Sequence, residues 1–277
     1  MGEIISLFPE SGHSTDGVID LERVEYSRVH RKLDPGMIQP AVKDTDDQAI
    51  EEHAAEPIKS VEEIQRISSF LIANKRYRDN MLFIVGINFG LRVSDLLRLR
   101  FDMVLDKDLN FRTDFPILEK KTSNTRKVKK NRYITINDAA VDAITMYLRY
   151  MSESGKVVHL NDYMFRSEGN RGKNSGLPMT RKSVDRILKD IAHDVGIQSK
   201  VSTHTLRKTF GYHQMVMSGN DPRKLLLLQK IFGHSTASQT LDYIGITSEE
   251  IQDAYLTLNL GGREYYKGMS NIGEQSA

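Results

Sequence analysis

Two histidines, an arginine and a tyrosine lie between residues 204 and 243 with spacings that suit chemistry on a phosphate. His204 and Arg207 are three residues apart, so on a helix they share one face and can address one ligand. Histidine exchanges a proton near neutral pH, whereas arginine keeps its positive charge. Tyr243 supplies a hydroxyl that becomes a nucleophile when a base or clustered cations activate it. With His234 directly after Gly233, these residue types predict a site for phosphoryl transfer.

Basic side chains upstream complete this set. The guanidinium of Arg92 can hold two oxygens of a phosphate, and Asp95, three residues on, would orient it from the same helix face. Lys121 lies on a predicted hairpin and could protonate a leaving alkoxide, with Lys120 as the alternative. Residues 120–132 include seven basic residues, and a ribbon of this kind can follow a DNA groove. The predicted phosphate contacts are Lys120, Arg126, Lys127, Lys129, Lys130 and Arg132.

Each of these residues also fits a structural role when it is considered alone. Arg92 and Asp95 could form a surface ion pair, and a run of lysines is usually a solvated face. His204 could cap a helix, and His234 after a glycine could be part of a helix C-cap. Tyr243 lies between apolar residues, which is typical of a core tyrosine. The order and joint occurrence of the residues decide between these interpretations.

The charge of the chain is distributed unevenly. Residues 1–57 have thirteen acidic and five basic residues, a net charge of −8, and the remainder has 34 basic and 24 acidic residues, a net charge of +10. A basic body behind an acidic leader favours a surface that binds a polyanion such as nucleic acid. An acidic leader that only aids solubility is the alternative.

Composition excludes several classes of protein. The chain has 277 residues, 39% hydrophobic and 27% charged, which is typical of a globular protein. The apolar run Met81–Ile87 is too short to span a membrane, and the first residues lack the pattern of a signal peptide. Without cysteine the chain has no disulfide and no thiolate zinc site. The absence of cysteine fits a reducing compartment, so we expect a cytoplasmic protein, and its basic body would associate it with the nucleoid.

The predicted elements place these residues in one domain. Residues 1–57 show little periodicity and are expected to be loosely ordered apart from a short helix within 20–32. Predicted helices follow at 60–71, 77–88 and 91–99, then strands within 101–121 and 132–136, and further helices to residue 258. The prediction is an α+β domain at 58–260, mostly helical with a small antiparallel sheet or hairpin. Residues 261–277 are expected to be a flexible tail.

Five motifs in order resemble the tyrosine recombinase (phage integrase) family. They are Gly-Leu-Arg-Val-Ser-Asp-Leu at 90–96, Lys-Thr at 121–122, His-Thr-Leu-Arg-Lys-Thr-Phe at 204–210, Leu-Gln-Lys-Ile-Phe-Gly-His-Ser at 228–235, and Thr-Leu-Asp-Tyr-Ile-Gly-Ile at 240–246. The resemblance covers about residues 58–260 and implies the catalytic domain of that family.

The resemblance implies a role for each matching residue. Tyr243 would attack a DNA phosphodiester and form a 3′-phosphotyrosyl link, and His204 would take the tyrosine proton. Lys121 would be the general acid for the leaving 5′-oxygen. Non-bridging oxygens would be held by Arg92 and Arg207, and His234 would hydrogen-bond the scissile phosphate. No metal, ATP or other cofactor is implied.

The resemblance also implies partners and alternatives. Double-stranded DNA with specific recombination sites would be bound by a homotetramer, with an accessory DNA-bending or directionality protein. The acidic leader looks too small for the DNA-clamping core-binding domain of many relatives. The chain therefore either resembles the minimal, catalytic-domain members of the family or needs a partner to complete the clamp. Integration, excision and inversion use the same residues. The alternatives are a type IB topoisomerase-like DNA-relaxing enzyme and a catalytically inactive DNA-binding regulator of the same fold.

Overall fold

The computed structural model describes residues 28–29, 55–118, 132–167 and 176–245. The helices are α1 (Val61–Ala73), α2 (Tyr77–Phe89), α3 (Val93–Leu96), α4 (Phe101–Val104), α5 (Asp138–Glu153), α6 (Arg181–Val195), α7 (Thr203–Met217), α8 (Pro222–Phe232) and α9 (Ala237–Ile244). The strands are β1 (Arg28–Val29), β2 (Phe111–Arg112), β3 (Asp114–Ile117) and β4 (Arg132–Thr135). The predicted α+β architecture, mostly helical with a small antiparallel sheet, is confirmed.

Side-chain caps define where the longer helices begin. In each case a side-chain oxygen accepts a hydrogen bond from a backbone N–H of the first turn, as an N-cap residue does. Ser60 caps α1, and its own hydroxyl donates to Glu62 at 2.6 Å. Helix α7 is capped by Ser202 and not by the neighbouring Thr203. The remaining caps of this kind are Asn137, Thr180, Asp221 and Thr236.

Helix α2 is the centre of the larger hydrophobic core. Its Met81, Leu82 and Val85 are fully buried, and the helix packs against α1, α5 and α7. A side chain at Gly86 would place its Cβ 2.7 Å from Leu206 on α7, so the glycine permits a close crossing of the two helices. This crossing fixes α7, which carries two of the predicted site residues, against the core.

The strands form two small pairs. Strand β3 pairs antiparallel with β4, with Asp114 opposite Thr135 and Ile117 opposite Arg132, as the predicted hairpin requires. Strand β1 pairs in parallel with β2. Residues 28–29 are therefore extended, and the helix predicted within 20–32 is wrong at those two positions. The residues of 119–131 lie outside the described ranges.

Two predicted elements differ from the structure between α2 and β2. The helix predicted over 91–99 is limited to α3, because Gly90 ends α2 in the left-handed region and Arg92 is still extended, with φ −64° and ψ 147°. Residues 101–104, predicted as turn and strand, form α4. Leu91, Leu96 and Leu97 are nonetheless all buried. Burial of the leucines therefore does not require a regular helix.

A second, smaller core joins α7, α8 and α9. Its buried members are Met215, Leu228, Phe232 and Ile244, and Tyr243 packs against them. A Cβ at Gly211 on α7 would lie 2.5 Å from Ile244, so that glycine lets α9 approach α7 closely. The smaller core thereby places the tyrosine of α9 beside the histidine of α7. Among the helices of the described ranges, none is long and apolar enough to cross a membrane.

Candidate active site

Three arginines from different parts of the chain meet at the C-terminal end of α8. Arg92 donates from Nη2 to the oxygen of Phe232 at 3.0 Å. Arg207 and Arg132 both donate to the oxygen of Ile231, at 3.3 and 2.7 Å. The last carbonyls of a helix have no intrahelical donor and form its negative end, so they attract cations. The end of α8 therefore collects fixed positive charge in one place.

Arg207 is the most firmly held of the three. Its side chain is 3% exposed, Nη1 donates to the oxygen of Gly90 at 2.6 Å, and its guanidinium lies 4.6 Å from the ring centroid of Phe232. Gly90 directly precedes the Leu91-Arg92 pair, so this bond ties the two predicted phosphate-binding arginines together. A cation that is buried with several partners keeps one geometry, as a clamp for an anion requires.

The predicted base and nucleophile lie side by side. His204 Nδ1 is 3.5 Å from the phenolic oxygen of Tyr243, and both side chains are partly exposed. The other ring nitrogen, Nε2, is 3.5 Å from Nη2 of Arg181, the first residue of α6. Both distances are at the outer limit of a hydrogen bond, and contacts of this kind tighten when substrate binds. Because arginine can only donate, the Arg181 contact is a hydrogen bond when Nε2 is unprotonated and Nδ1 carries the ring proton. His204 accepts the phenolic proton through Nδ1 in the other tautomer, in which Nε2 carries the ring proton.

His234 contacts the hydroxyl of Thr240 through Nδ1, at 3.1 Å. The same hydroxyl lies 3.3 Å from the oxygen of Thr236. When the hydroxyl donates to Nδ1, the proton of a neutral His234 ring is on Nε2. The His234 ring lies 5.0 Å from that of Tyr243, in a T-shaped arrangement. His234 can therefore be held through Nδ1 while Nε2–H donates to an anion.

Asp95 lies within α3 and is fully buried. Its Oδ1 lies 3.7 Å from Nη1 of Arg98, and its backbone N–H donates to the oxygen of Arg92 at 2.9 Å. The ion pair with Arg98 was not expected from the sequence. The predicted role of Asp95, orientation of the Arg92 side chain, stays a prediction.

The structure brings most of the predicted site together. Arg92, His204, Arg207, His234 and Tyr243 all contact α8, the turn that follows it, or one another. The predicted general acid and most of the predicted groove contacts lie outside the described residues: Lys120, Lys121, Arg126, Lys127, Lys129 and Lys130. The remaining predicted groove contact, Arg132, belongs to the arginine cluster at the end of α8.

Three residues near the site were missed by the sequence analysis. Lys208 is four residues after His204, so helical spacing could have placed it on the same face. Its ammonium lies 5.1 Å from the ring centroid of Tyr243. Arg181 and Thr240 carry no comparable signal. They touch the site because α6 and α9 are packed beside α7 and α8, and this packing is a tertiary property.

Comparison with known proteins identifies the family. The sequence profile of the phage integrase family matches residues 60–250. A Bacillus subtilis protein described as probable integrase/recombinase YoeC is 36% identical over 203 residues, covering 73% of this chain and 96% of that protein. The tyrosine recombinase XerA of Pyrococcus furiosus is 30% identical over 199 residues, covering 72% of this chain and 60% of XerA.

A solved structure agrees in fold. The crystal structure of XerA recombinase has a TM-score of 0.51 and 22% sequence identity, and the match covers 74% of this chain and 66% of that one. In sequence, this chain spans 96% of YoeC but only 60% of XerA from Pyrococcus furiosus, which is less than two thirds. Because the family profile covers most of the chain, the protein belongs to the phage integrase family and carries its site-specific tyrosine recombinase domain.

Proposed function

We propose that this protein cuts and rejoins double-stranded DNA at specific sites through a covalent link to Tyr243. One observation carries the proposal. The phenol of Tyr243 lies 3.5 Å from a ring nitrogen of His204, and the adjacent end of α8 gathers the guanidinium groups of Arg92 and Arg207. A nucleophile beside a base, with fixed cations around the position of a phosphate, supports phosphoryl transfer.

The cleavage step would exchange one phosphate ester for another. The oxygen of Tyr243 attacks the phosphorus and passes its proton to His204, while the bond from phosphorus to the 5′-oxygen breaks. Lys121 gives a proton to the leaving 5′-oxygen. The product is a 3′-phosphotyrosyl link with a free 5′-hydroxyl. The reverse step with a different 5′-hydroxyl joins new strands, and the ester bond retains the energy that religation needs.

The two arginines would stabilise the charge that develops on the non-bridging oxygens. A guanidinium has five N–H donors in a planar fork, so an arginine that holds a backbone carbonyl can also meet a phosphate oxygen. The bonds of Arg92 and Arg207 to backbone oxygens set their orientation before DNA arrives. Preorganised donors need no rearrangement at the moment of reaction, which is where their catalytic effect originates.

His234 would donate to the scissile phosphate through Nε2–H. Its Nδ1 contacts the hydroxyl of Thr240 at 3.1 Å, which orients the ring. A ring held at one nitrogen can present the other to a phosphate without rearrangement, as preorganised donors do.

Strand exchange needs two recombination sites held together by four protomers, so we propose that the protein acts as a homotetramer on DNA. We also propose an accessory DNA-bending or directionality protein as a partner, and the nucleoid in the cytoplasm as the place of action. The net charge of +10 on residues 58–277 favours contact with DNA phosphates. Integration, excision and inversion would differ only in the arrangement of the target sites.

A suicide substrate that carries the native recombination site tests this function. Wild-type protein should form a covalent adduct with the nicked DNA, and Tyr243→Phe should bind the same DNA without forming an adduct. An adduct that persists in Tyr243→Phe would show that another residue is the nucleophile. Supercoiled plasmid without the site is the second arm. Efficient relaxation of that plasmid by a monomer would instead favour a topoisomerase.

A further inference from the structure

Residues 55–58, here called the entry segment, pack along α7 immediately before α1. Ala55 and Ile58 are 4% and 1% exposed. The backbone N–H of Ile58 donates to the hydroxyl of Thr209 at 2.9 Å, and the oxygen of Ile58 lies 2.9 Å from His213 Nε2. These contacts run along the helix that also carries His204 and Arg207. The entry segment thus packs against the helix that positions two residues of the candidate site.

Lys208 connects the entry segment to the nucleophile. Its side chain is on α7 and is 5% exposed. The ammonium donates to the oxygen of Ala55 at 2.7 Å and lies 5.1 Å from the ring centroid of Tyr243. Lysine is rarely buried to this extent unless it has partners, because its charge loses hydration. The carbonyl and the face of the aromatic ring are two such partners.

A second contact joins the entry segment to the end of α9. A Cβ built on Gly245, two residues after Tyr243, would lie 3.0 Å from Cδ of Pro57. The backbone of Glu56 is held in addition by the oxygen of Lys200 at 2.8 Å. The segment is therefore linked to the tyrosine helix in two ways. Lys208 bridges Ala55 and Tyr243, and Pro57 packs closely against Gly245.

We propose that Lys208 is a positioning residue for DNA cleavage, which holds the ring of Tyr243 against the entry segment so that the phenol faces His204. This inference rests on the recombinase function proposed above and adds a residue to its machinery. Lys208 does not touch the phosphate in this scheme. It lies over the face of the ring, whereas His204 meets the phenolic oxygen and the His234 ring packs against the tyrosine ring in a T-shaped arrangement.

The charged groups around the phenol come from four elements. Lys208 and His204 belong to α7, His234 follows α8, and exposed Asp242 precedes the tyrosine on α9. Arg181 of α6 lies 3.5 Å from Nε2 of His204. A buried ammonium over the ring favours the phenolate relative to the phenol. Removal of that charge should therefore lower the cleavage rate and also change how that rate depends on pH.

The cleavage test compares Lys208→Met, Lys208→Arg and the control Lys200→Met, all in the full chain. Lys200 is exposed, so its substitution removes the same charge nearby without touching Tyr243. Single-turnover cleavage by Lys208→Met should fall roughly 30-fold and its pH profile should move to higher pH, with DNA affinity unchanged within about threefold. Lys208→Arg should restore part of the rate, and Lys200→Met should resemble wild type.

A measurement on the free protein keeps this inference separate from the proposed function. With ring-¹³C tyrosine, the Tyr243 signal is assigned by its absence in Tyr243→Phe and is followed by NMR against pH. In Lys208→Met its titration midpoint should rise by about one pH unit. An unchanged midpoint with an unchanged cleavage profile would overturn the role of Lys208. A shifted midpoint in a protein whose wild type never forms a DNA adduct would uphold the contact and reject the recombinase function.

Discussion

Arg132 and Arg207 donate hydrogen bonds to the same acceptor, the backbone oxygen of Ile231, at 2.7 and 3.3 Å. One arginine begins the second strand of the hairpin, and the other is a predicted phosphate ligand on α7. Arg132 is paired with Ile117 in the β3–β4 ladder, at the end nearest residues 119–131. The shared carbonyl therefore couples the base of the hairpin to the arginine cluster.

This relationship changes what is expected of Arg132. Arg132→Met should lower single-turnover cleavage by roughly tenfold to a hundredfold, because Arg207 loses a neighbour that fixes the Ile231 carbonyl. The dependence of DNA affinity on salt should stay close to that of wild type. Filter binding over a range of salt concentrations measures the slope.

Lys127→Ala is the matched control for Arg132→Met, since Lys127 is predicted to contact a DNA phosphate. Its logarithmic salt slope should become shallower by about one, with little change in the cleavage rate at saturating DNA. A comparable loss of slope in Arg132→Met would mean that Arg132 contacts DNA directly, as the sequence analysis predicted.

Lys121→Ala should cleave ordinary DNA poorly, because the leaving 5′-oxygen no longer receives a proton. A substrate with a 5′-bridging phosphorothiolate should restore its cleavage, since a thiolate leaves without protonation. Lys120→Ala is the control and should cleave both substrates at nearly the wild-type rate. Rescue that is specific to Lys120→Ala would move the general acid to Lys120.

Thr240→Val should weaken cleavage by roughly tenfold, which corresponds to the loss of one orienting hydrogen bond of about 1.4 kcal/mol. The buried hydroxyl contacts Nδ1 of His234 at 3.1 Å, and valine keeps the shape of threonine without a hydrogen-bonding group. Thr145→Val on α5 is the control, because it removes a buried hydroxyl elsewhere. Equal cleavage rates in the two variants would reject the role of Thr240 in orienting His234.

Gly90→Ala should reduce both stability and activity. Alanine at φ +58° is strained by about 1–2 kcal/mol, and its Cβ would lie 2.4 Å from the ring of Phe210. Gly90 also provides the oxygen that holds Arg207. Denaturant unfolding and single-turnover cleavage measure the two effects.

Gly196→Ala is the control that separates backbone strain at positive φ from steric contact of the new Cβ. Gly196 has φ +74° and no atom within 4 Å of the added Cβ, so its substitution should cost about 1–2 kcal/mol and leave cleavage unchanged. Gly90→Ala should cost more than that. If both variants lose the same free energy of unfolding, the contact with Phe210 is easily relieved.

Local interactions explain which parts of the fold were predictable. Ser60, Asn137 and Thr180 begin helices because a side chain meets a backbone N–H two or three residues away, and Gly233 ends α8 because glycine accepts a positive φ. These bonds depend on neighbours in the sequence. The errors in 91–112 arose because local sequence patterns do not show where tertiary packing ends a helix. The spacing of the buried leucines was compatible with a helix longer than α3.

The sequence by itself determined the residue types of the site and the family to which the chain belongs, since the motifs around Arg92, Arg207 and Tyr243 are read directly from it. Only the tertiary structure decided which groups share a partner. The Ile231 carbonyl between two arginines, and Lys208 between Ala55 and Tyr243, join residues that are far apart in the chain. Such contacts depend on how α7, α8 and α9 pack, and packing is set by shape and burial over the whole domain.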